Sequence, residues 1–161
     1  MHGKQDGLAA QAAMERLKTL RLKAGLDAEG LADQIGITAA WFLDLESEPG
    51  ELEASLDLTQ LRKLAILLQV GLGFLLTGET IPESVPNASF LEVARRIRLQ
   101  LEHSRDVKGL EERTGWDLAP FLKHPEAEGW DQRPGFFRDV SAELGMDWRG
   151  VLRYCESIRE E

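Results

Sequence analysis

Apolar residues recur at helical spacing along most of the 161-residue chain, and no β-strand pattern is evident. This periodicity predicts an all-α protein. In the first half it predicts a helix over about residues 9–24, a strongly amphipathic helix over about residues 58–69 and a short helix over residues 72–76. The apolar positions on the faces of these helices are Leu17, Leu20, Ala24, Leu58, Leu61, Ala65, Leu68, Phe74, Leu75 and Leu76.

Between these helices, residues 26–46 predict two short helices joined by a glycine turn. Asp27 is a good N-cap for the first helix, Gly36 can end it in the left-handed conformation, and Thr38 can cap the second helix. Two helices joined in this way form a helix-turn-helix. The inward positions are Leu31, Ala32, Ile35, Trp41, Phe42 and Leu45. After them, Pro49 and Gly50 predict that residues 46–55 form a turn-rich loop.

The chain divides at a segment whose composition is typical of a linker. Residues 79–88 contain Pro82 and Pro86 among small polar residues, which indicates a domain boundary. We therefore expect a disordered tail over residues 1–8, a first domain over residues 9–78, the linker, and a second helical domain over residues 89–161.

The second half is similar to a decayed copy of the first. At an offset of 79, Gly30, Leu31, Gly36, Phe42 and Leu43 align with Gly109, Leu110, Gly115, Phe121 and Leu122. At an offset of 76, Leu68 and Val70 align with Leu144 and Met146. The order of elements predicts a degenerate tandem repeat. In that repeat Pro120 replaces Trp41, which shortens the helix at residues 117–123. We expect residues 124–135 to form a loop and residues 135–158 a final pair of helices.

Four motifs of the first half carry a family resemblance: LRLKAGL, GLADQIGIT, the Asp44-Leu45-Glu46 step, and LxxLxxLAxLLxVxxxxLLTGE. From about Glu15 to Glu79 the chain resembles the lambda-repressor-like domain of Xre/Cro-type regulators. The resemblance implies a five-helix bundle. The fold expected for the whole chain is then two tandem lambda-repressor-like five-helix bundles, the second degenerate. The resemblance also implies that Arg21 pairs with Glu46. At the offset of 79, Gln100 and Pro125 stand in their places in the second half, so the pair is absent there.

The function implied by the resemblance is that of a DNA-binding transcriptional regulator. Double-stranded DNA would be the partner, and a homodimer is expected because such domains read paired half-sites. Helix N-termini can bind phosphate, and the helix after Thr38 would enter the major groove. The DNA-binding candidates are Ala28 and Thr38 through their helix N-termini, Ala39, Ala40 and Asp44 on the outward face, and Arg16, Lys18 and Lys23 on the first helix.

Charge favours a second hypothesis. The net charge is −9, and residues 38–57 contain six acids and no base, which is unfavourable for contact with phosphate. The alternative is a helix-turn-helix fold that has lost DNA binding. Such a protein would be an interaction module of the antitoxin, immunity or anti-regulator type, with Trp41 and Leu43 in the protein interface. In a third option the second half dimerises or senses a ligand while the first half binds DNA weakly.

The remaining sequence features argue against catalysis, disulfide formation and membrane insertion. We find no nucleophile, phosphate-binding or metal-binding motif, so we expect no enzyme activity, no cofactor and no metal. A single cysteine, Cys155, rules out an intramolecular disulfide and favours a cytoplasmic protein. We interpret Cys155 as an inert, half-buried thiol, with a redox switch as the alternative. No apolar run is long enough to span a membrane.

The basic residues of the second half are interpreted as a salt-paired helix face rather than a nucleic-acid stripe. They are Arg95, Arg96, Arg98, Arg105, Lys108 and Arg113.

Overall fold

All regular structure in the computed structural model, which describes residues 2–104 and 106–158, is helical. The all-α class predicted from the sequence is therefore confirmed for these residues. The helices are α1 (His2–Lys23), α2 (Ala28–Ile35), α3 (Ala39–Ser47), α4 (Glu51–Ser55), α5 (Leu58–Leu67), α6 (Leu72–Thr77), α7 (Phe90–Ser104), α8 (Val107–Thr114), α9 (Ala119–Lys123), α10 (Pro125–Asp131), α11 (Pro134–Glu143) and α12 (Arg149–Ser157).

The helix-turn-helix forms from the residues that the sequence indicated. The Asp27 carboxylate accepts hydrogen bonds from two amides in the first turn of α2, and Gly36 ends that helix with φ of 78°. The Thr38 hydroxyl then accepts a hydrogen bond from the Trp41 amide at the start of α3. These caps satisfy amides that the helix itself leaves unpaired. The buried residues of the two helices are Leu31, Ala32, Ile35, Phe42, Leu45 and Glu46.

The first helix is longer than expected. α1 begins at His2 rather than near residue 9, so residues 2–8, which we expected to be disordered, are helical; residue 1 lies outside the described residues. The segment from Leu8 to Ala13 contains four alanines, and alanine has the highest helix propensity. That propensity supports the helix from Ala9 onward, but it does not account for residues 2–8, which include Gly3 and Gly7.

Two segments that we expected to be loops contain short helices. α4 lies within residues 46–55 and α10 within residues 124–135. Leu52 of α4 is fully packed, and Trp130 of α10 lies edge-on against the buried Phe90 ring. Pro49 and Gly50 predicted a loop in the first segment, but burial of Leu52 outweighs that signal, and packing of Trp130 likewise stabilises a helix in the second segment.

The second half repeats helix bounds of the first. α8 lies 79 residues after α2 at both ends, and α11 lies 76 residues after α5 at both ends. Gly115 ends α8 with φ of 76°, as Gly36 ends α2. Asp106 accepts a hydrogen bond from the Gly109 amide of α8, which is the capping role of Asp27 in α2. α9 has five residues where α3 has nine, in line with the effect predicted for Pro120.

The first helices of the two halves correspond at a different offset from the one we expected. The buried positions Ala13 and Leu17 of α1 match Val93 and Ile97 of α7, which is an offset of 80. The residue in the place of Arg21 is then Leu101, not Gln100. The offset of 79 is correct for α2 and α8, so the connection before α8 is one residue shorter than its counterpart.

One hydrophobic core contains residues from both halves. α6 packs against α12, α5 against α10 and α12, and α4 against α11. The expected linker lies in the helix-free segment between α6 and α7, and it is held against α12. The Arg153 guanidinium donates to the carbonyls of Pro82 and Val85 at 3.0 and 3.2 Å, and the Ala88 amide donates to the carbonyl of Gly150 at 3.1 Å.

Candidate interaction surface around the helix-turn-helix

The outer face of α3 carries no basic side chain. Ala39, Ala40, Leu43 and Asp44 are all exposed, as the sequence predicted for the outward positions. Leu43 is 55% exposed and is the only large apolar residue among them. Small and apolar side chains with one carboxylate cannot supply the donors that read guanine, and they offer no charge to phosphate.

The acidic character extends over the whole surrounding segment. From residue 24 to residue 61 the chain contains nine acids and no lysine, arginine or histidine. Only Glu46 among these acids is buried. The others are Asp27, Glu29, Asp33, Asp44, Glu48, Glu51, Glu53 and Asp57. A phosphate backbone approaching α2, α3 and α4 therefore meets like charge from every one of these helices.

The N-terminus of α2 is filled by the chain itself. The Asp27 carboxylate accepts from the amides of Glu29 and Gly30 at 2.8 and 3.4 Å. These are the amides that would have to face a phosphate, and the Glu29 carboxylate in the same turn adds a further negative charge. Ala28 is half-buried. The phosphate contact that we expected at Ala28 therefore conflicts with the capping of α2.

At the start of α3 the Thr38 hydroxyl accepts from the Trp41 amide at 3.1 Å. Thr38 is thus used as an internal cap, the structural role that its position predicted. The amides of Ala39 and Ala40 precede that bonded amide, and both residues are exposed. This end of α3 has room for an anion, but no basic side chain from residue 24 to residue 61 assists it.

The three basic candidates on α1 do not form one patch. Arg16 is half-buried, its Nη1 donates to the Leu75 carbonyl of α6 at 3.2 Å, and its guanidinium lies 6.0 Å from the centre of the Phe74 ring. Burial lowers the pKa of this guanidinium. Lys18 and Lys23 are exposed. Since a helix turns by about 100° per residue, Lys18 lies about 200° around α1 from Arg16, whereas Lys23, about two turns further along, lies on the same side as Arg16. Arg16 joins α1 to α6 instead of standing free on the solvent face, and a phosphate-binding rim stays a prediction.

Arg21 and Glu46 form the ion pair implied by the resemblance. Arg21 Nε donates to Glu46 Oε1 at 2.5 Å and Nη2 donates to Oε2 at 3.0 Å. The side chains are 13% and 5% exposed. Arg21 Nη1 also donates to the Leu26 carbonyl, and the hydrogen bonds that Arg21 donates to Glu46 raise the pKa of Arg21. The pair joins α1 to α3, which fixes the orientation of the helix-turn-helix.

Trp41 contacts α4 of its own half. Its Nε1 donates to the Ser55 hydroxyl at 2.9 Å, and that hydroxyl donates to the Glu51 carbonyl at 2.8 Å. The ring is half-buried against the core. Of the two interface candidates, Leu43 is the exposed one, whereas Trp41 mainly supports α4. Ser55 was not recognised from the sequence, because α4 itself was not predicted.

Three of the six basic residues considered in the second half pair with acids. Arg95 and Arg96 contact Glu92 of the same helix, and Arg113 contacts Asp106 and Glu143. Arg98 donates to the carbonyl of Leu122. The interpretation as a salt-paired face is confirmed for the residues with acidic partners. Lys108 is exposed, and Arg105 lies outside the described residues.

The described residues form neither a metal site nor an accessible thiol. Within residues 2–104 and 106–158, no group of three or more histidine, cysteine or acidic side chains could hold a metal ion. Cys155 is fully buried, and burial raises the pKa of its thiol to about 12. This fits the inert thiol of the sequence interpretation, although the residue is more deeply buried than expected. None of the described helices combines the length and apolar character that crossing a membrane requires.

Comparison of the chain with protein-family models, curated proteins and solved structures gives no significant match.

Proposed function

We propose that the chain consists of two tandem lambda-repressor-like bundles, the second degenerate, and that the first bundle acts in protein–protein interaction rather than in DNA binding. The observation that carries this proposal is the charge of the helix-turn-helix and its surroundings: eight exposed or half-exposed carboxylates and no base over residues 24–61. Of the two functions that the sequence left open, this surface supports the interaction module better than the transcriptional regulator.

The chemistry of the surface defines the kind of partner. The outward stripe of α3 is formed by Ala40, Leu43, Asp44 and Ser47, all exposed. Leu43 offers apolar area that a partner can desolvate, and carboxylates of α2, α3 and α4 surround the helix. Charge complementarity accelerates association and selects partners by sign. The surface is therefore suited to a protein with an apolar pocket bordered by lysine or arginine.

A matched pair of leucine variants tests this proposal. Leu43 of α3 and Leu91 of α7 are each 55% exposed, so Leu43→Asp and Leu91→Asp make the same chemical change at equal exposure. A partner captured by the unaltered chain should bind Leu43→Asp at least about tenfold more weakly, as expected for a central interface residue. The same partner should bind Leu91→Asp with nearly unchanged affinity.

The Leu91→Asp control also shows which outcome would contradict the proposal. If both variants retain the partner, or both lose it, α3 is not the contact surface. Circular dichroism of each variant should match that of the unaltered chain, because both leucines lie outside the core.

A further inference from the structure

Apart from the packing of α5 against α12, the main helix contacts between the two halves repeat when the halves are exchanged. By their order in each half, α4, α5 and α6 correspond to α10, α11 and α12. α5 packs against α10, and α11 packs against α4, which is the same contact with the halves interchanged. α6 packs against α12, a contact that is its own counterpart. Such reciprocal pairing is the property of an isologous interface, which a two-fold axis generates.

Two arginines at equivalent positions show the same reciprocity in their side chains. Arg62 of α5 and Arg138 of α11 are separated by the offset of 76 that relates those helices. The Arg62 guanidinium lies 5.3 Å from the centre of the Trp130 ring in α10. Arg138 Nη1 lies 2.6 Å from Glu53 Oε2 in α4. Each arginine thus reaches from the fifth helix of one half to the fourth helix of the other.

The pairing is not identical in detail, and the difference has a local cause. Where α5 meets α10, the Thr59 hydroxyl donates to the Trp130 carbonyl and the Leu58 amide donates to the Gln132 carbonyl at 3.0 Å. Where α11 meets α4, Gly135 stands in the place of Thr59, and a cleft of about 320 Å³ remains beside Trp116. The missing side chain leaves this contact more open than its counterpart.

We propose that the two halves form an internal pseudo-dimer around a two-fold axis between α6 and α12, with the second half as the built-in partner of the first. The inference depends on the tandem arrangement proposed above, but not on what the helix-turn-helix binds. It assigns to the second half the role of covering α4, α5 and α6 of the first. The chain is then complete as a monomer, and the homodimer expected from the family resemblance is replaced by an intramolecular equivalent.

One side-chain contact across this axis can be removed without disturbing the core. The Glu156 carboxylate of α12 accepts a hydrogen bond from the Gly73 amide of α6 at 2.7 Å. Glu156 itself is exposed, so Glu156→Ala removes the contact and leaves no cavity. Glu15→Ala is the control, because Glu15 is an exposed glutamate of α1 whose hydrogen bond, from Gln11, stays within that helix.

The test combines mass and hydrogen exchange on the full chain. Light scattering should give the monomer mass of 18.0 kDa at all protein concentrations. In Glu156→Ala, amide protection should fall by roughly tenfold to a hundredfold, as expected for loss of one charge-assisted hydrogen bond. The fall should have the same size in α2 and in α8, which lie in different halves, because the two halves unfold together. Glu15→Ala should leave protection within about twofold of the unaltered chain in both helices.

Either of two results would overturn the internal pseudo-dimer. One is a stable homodimer by light scattering, which would mean that the chain still requires a second copy. The other is a loss of protection in α8 with none in α2, which would mean that the halves are independent units. DNA binding by a monomeric chain would contradict the proposed function and leave this inference intact, so the two failures can be distinguished.

Discussion

The two halves share a backbone plan but differ in what holds them together. In the first half the packed side chains are mainly leucines, and a buried ion pair between Arg21 and Glu46 joins α1 to α3. In the second half Leu101 stands in the place of Arg21, and a cluster of aromatic rings replaces many of the leucines. Its contacting rings are Phe90, Trp116, Phe121, Trp130, Phe136, Phe137 and Tyr154. The difference teaches that equivalent caps and turns define helices of equal bounds in the two halves, while the side chains that pack around these helices differ.

The ion pair is the largest expected difference between the halves. Arg21→Ala should destabilise the chain by about 3 kcal/mol, because Glu46 is left as an unpaired buried charge. Urea unfolding monitored by circular dichroism measures the change. The double variant Arg21→Leu/Glu46→Leu, which imitates the apolar second half, should recover most of the loss. A single variant as stable as the unaltered chain would show that the pair contributes nothing.

The glycine turns should behave alike in the two halves. Gly36 and Gly115 have φ of 78° and 76°, and a Cβ at either position would meet no atom within 4 Å. Gly36→Ala and Gly115→Ala should therefore each destabilise by about 1–2 kcal/mol, through the left-handed backbone alone. Thermal or urea unfolding of both variants checks this equality. A cost at Gly36 with none at Gly115 would indicate that the second turn is not held in the same conformation.

A buried hydroxyl distinguishes α11 from α5 at one position. Ser141 is fully buried and its Oγ has no hydrogen-bond partner, whereas its counterpart at the offset of 76 is Ala65. Because an unsatisfied buried hydroxyl costs about 1 kcal/mol or more, Ser141→Ala should stabilise the chain by roughly that amount. Ala65→Ser is the matched reverse change and should destabilise. Loss of stability in Ser141→Ala would mean that the hydroxyl has a partner after all.

The smallest effect concerns position 155, where the second half has a buried cysteine and the first half has the exposed Glu79. The raised pKa of about 12 keeps the Cys155 thiol protonated in the folded chain. Since the folded pKa lies above the ordinary value of 9.0, the stabilising contribution is complete below pH 9 and is lost between pH 9 and about 12. Burial also raises the pKa of Tyr154 to about 12, so its contribution to stability is likewise lost as the pH rises.

Alkylation measures the state of this thiol directly. Iodoacetamide at pH 8 should label the folded chain far more slowly than the urea-unfolded chain, because the thiolate is the reactive species. Equal rates in the two states would contradict burial of Cys155 and would restore the redox-switch interpretation.

Local signals explain which parts of the structure could be predicted. Asp27, Gly36 and Thr38 act on their own helix ends, so the helix-turn-helix followed from the sequence. Short α4 and α10 form around the tertiary contacts of Leu52 and Trp130, which no local pattern reveals. The candidate site also divides into locally and tertiarily determined parts. The prediction of which α3 residues face outward was correct, because helical spacing alone defines those positions.

Long-range partners explain the errors. Arg16 was assigned to solvent because its acceptor, the Leu75 carbonyl, is 59 residues away in the chain. Trp41 was assigned to an interface because its acceptor belongs to a helix that was not predicted. The offset of α7 was wrong by one residue because Gly30 and Gly109 fixed the alignment, and they lie beyond the connection that changes length.

DNA binding by the full chain tests the central claim most directly. Fluorescence anisotropy with duplex DNA, both random and from its own promoter region, should be recorded at low and at near-physiological salt. We predict no binding to either duplex at either salt concentration, because the helix-turn-helix segment presents carboxylates and no base. Binding that weakens steeply with salt, and further in Lys18→Ala/Lys23→Ala, would contradict the account and return the chain to the transcriptional regulators that its first half resembles.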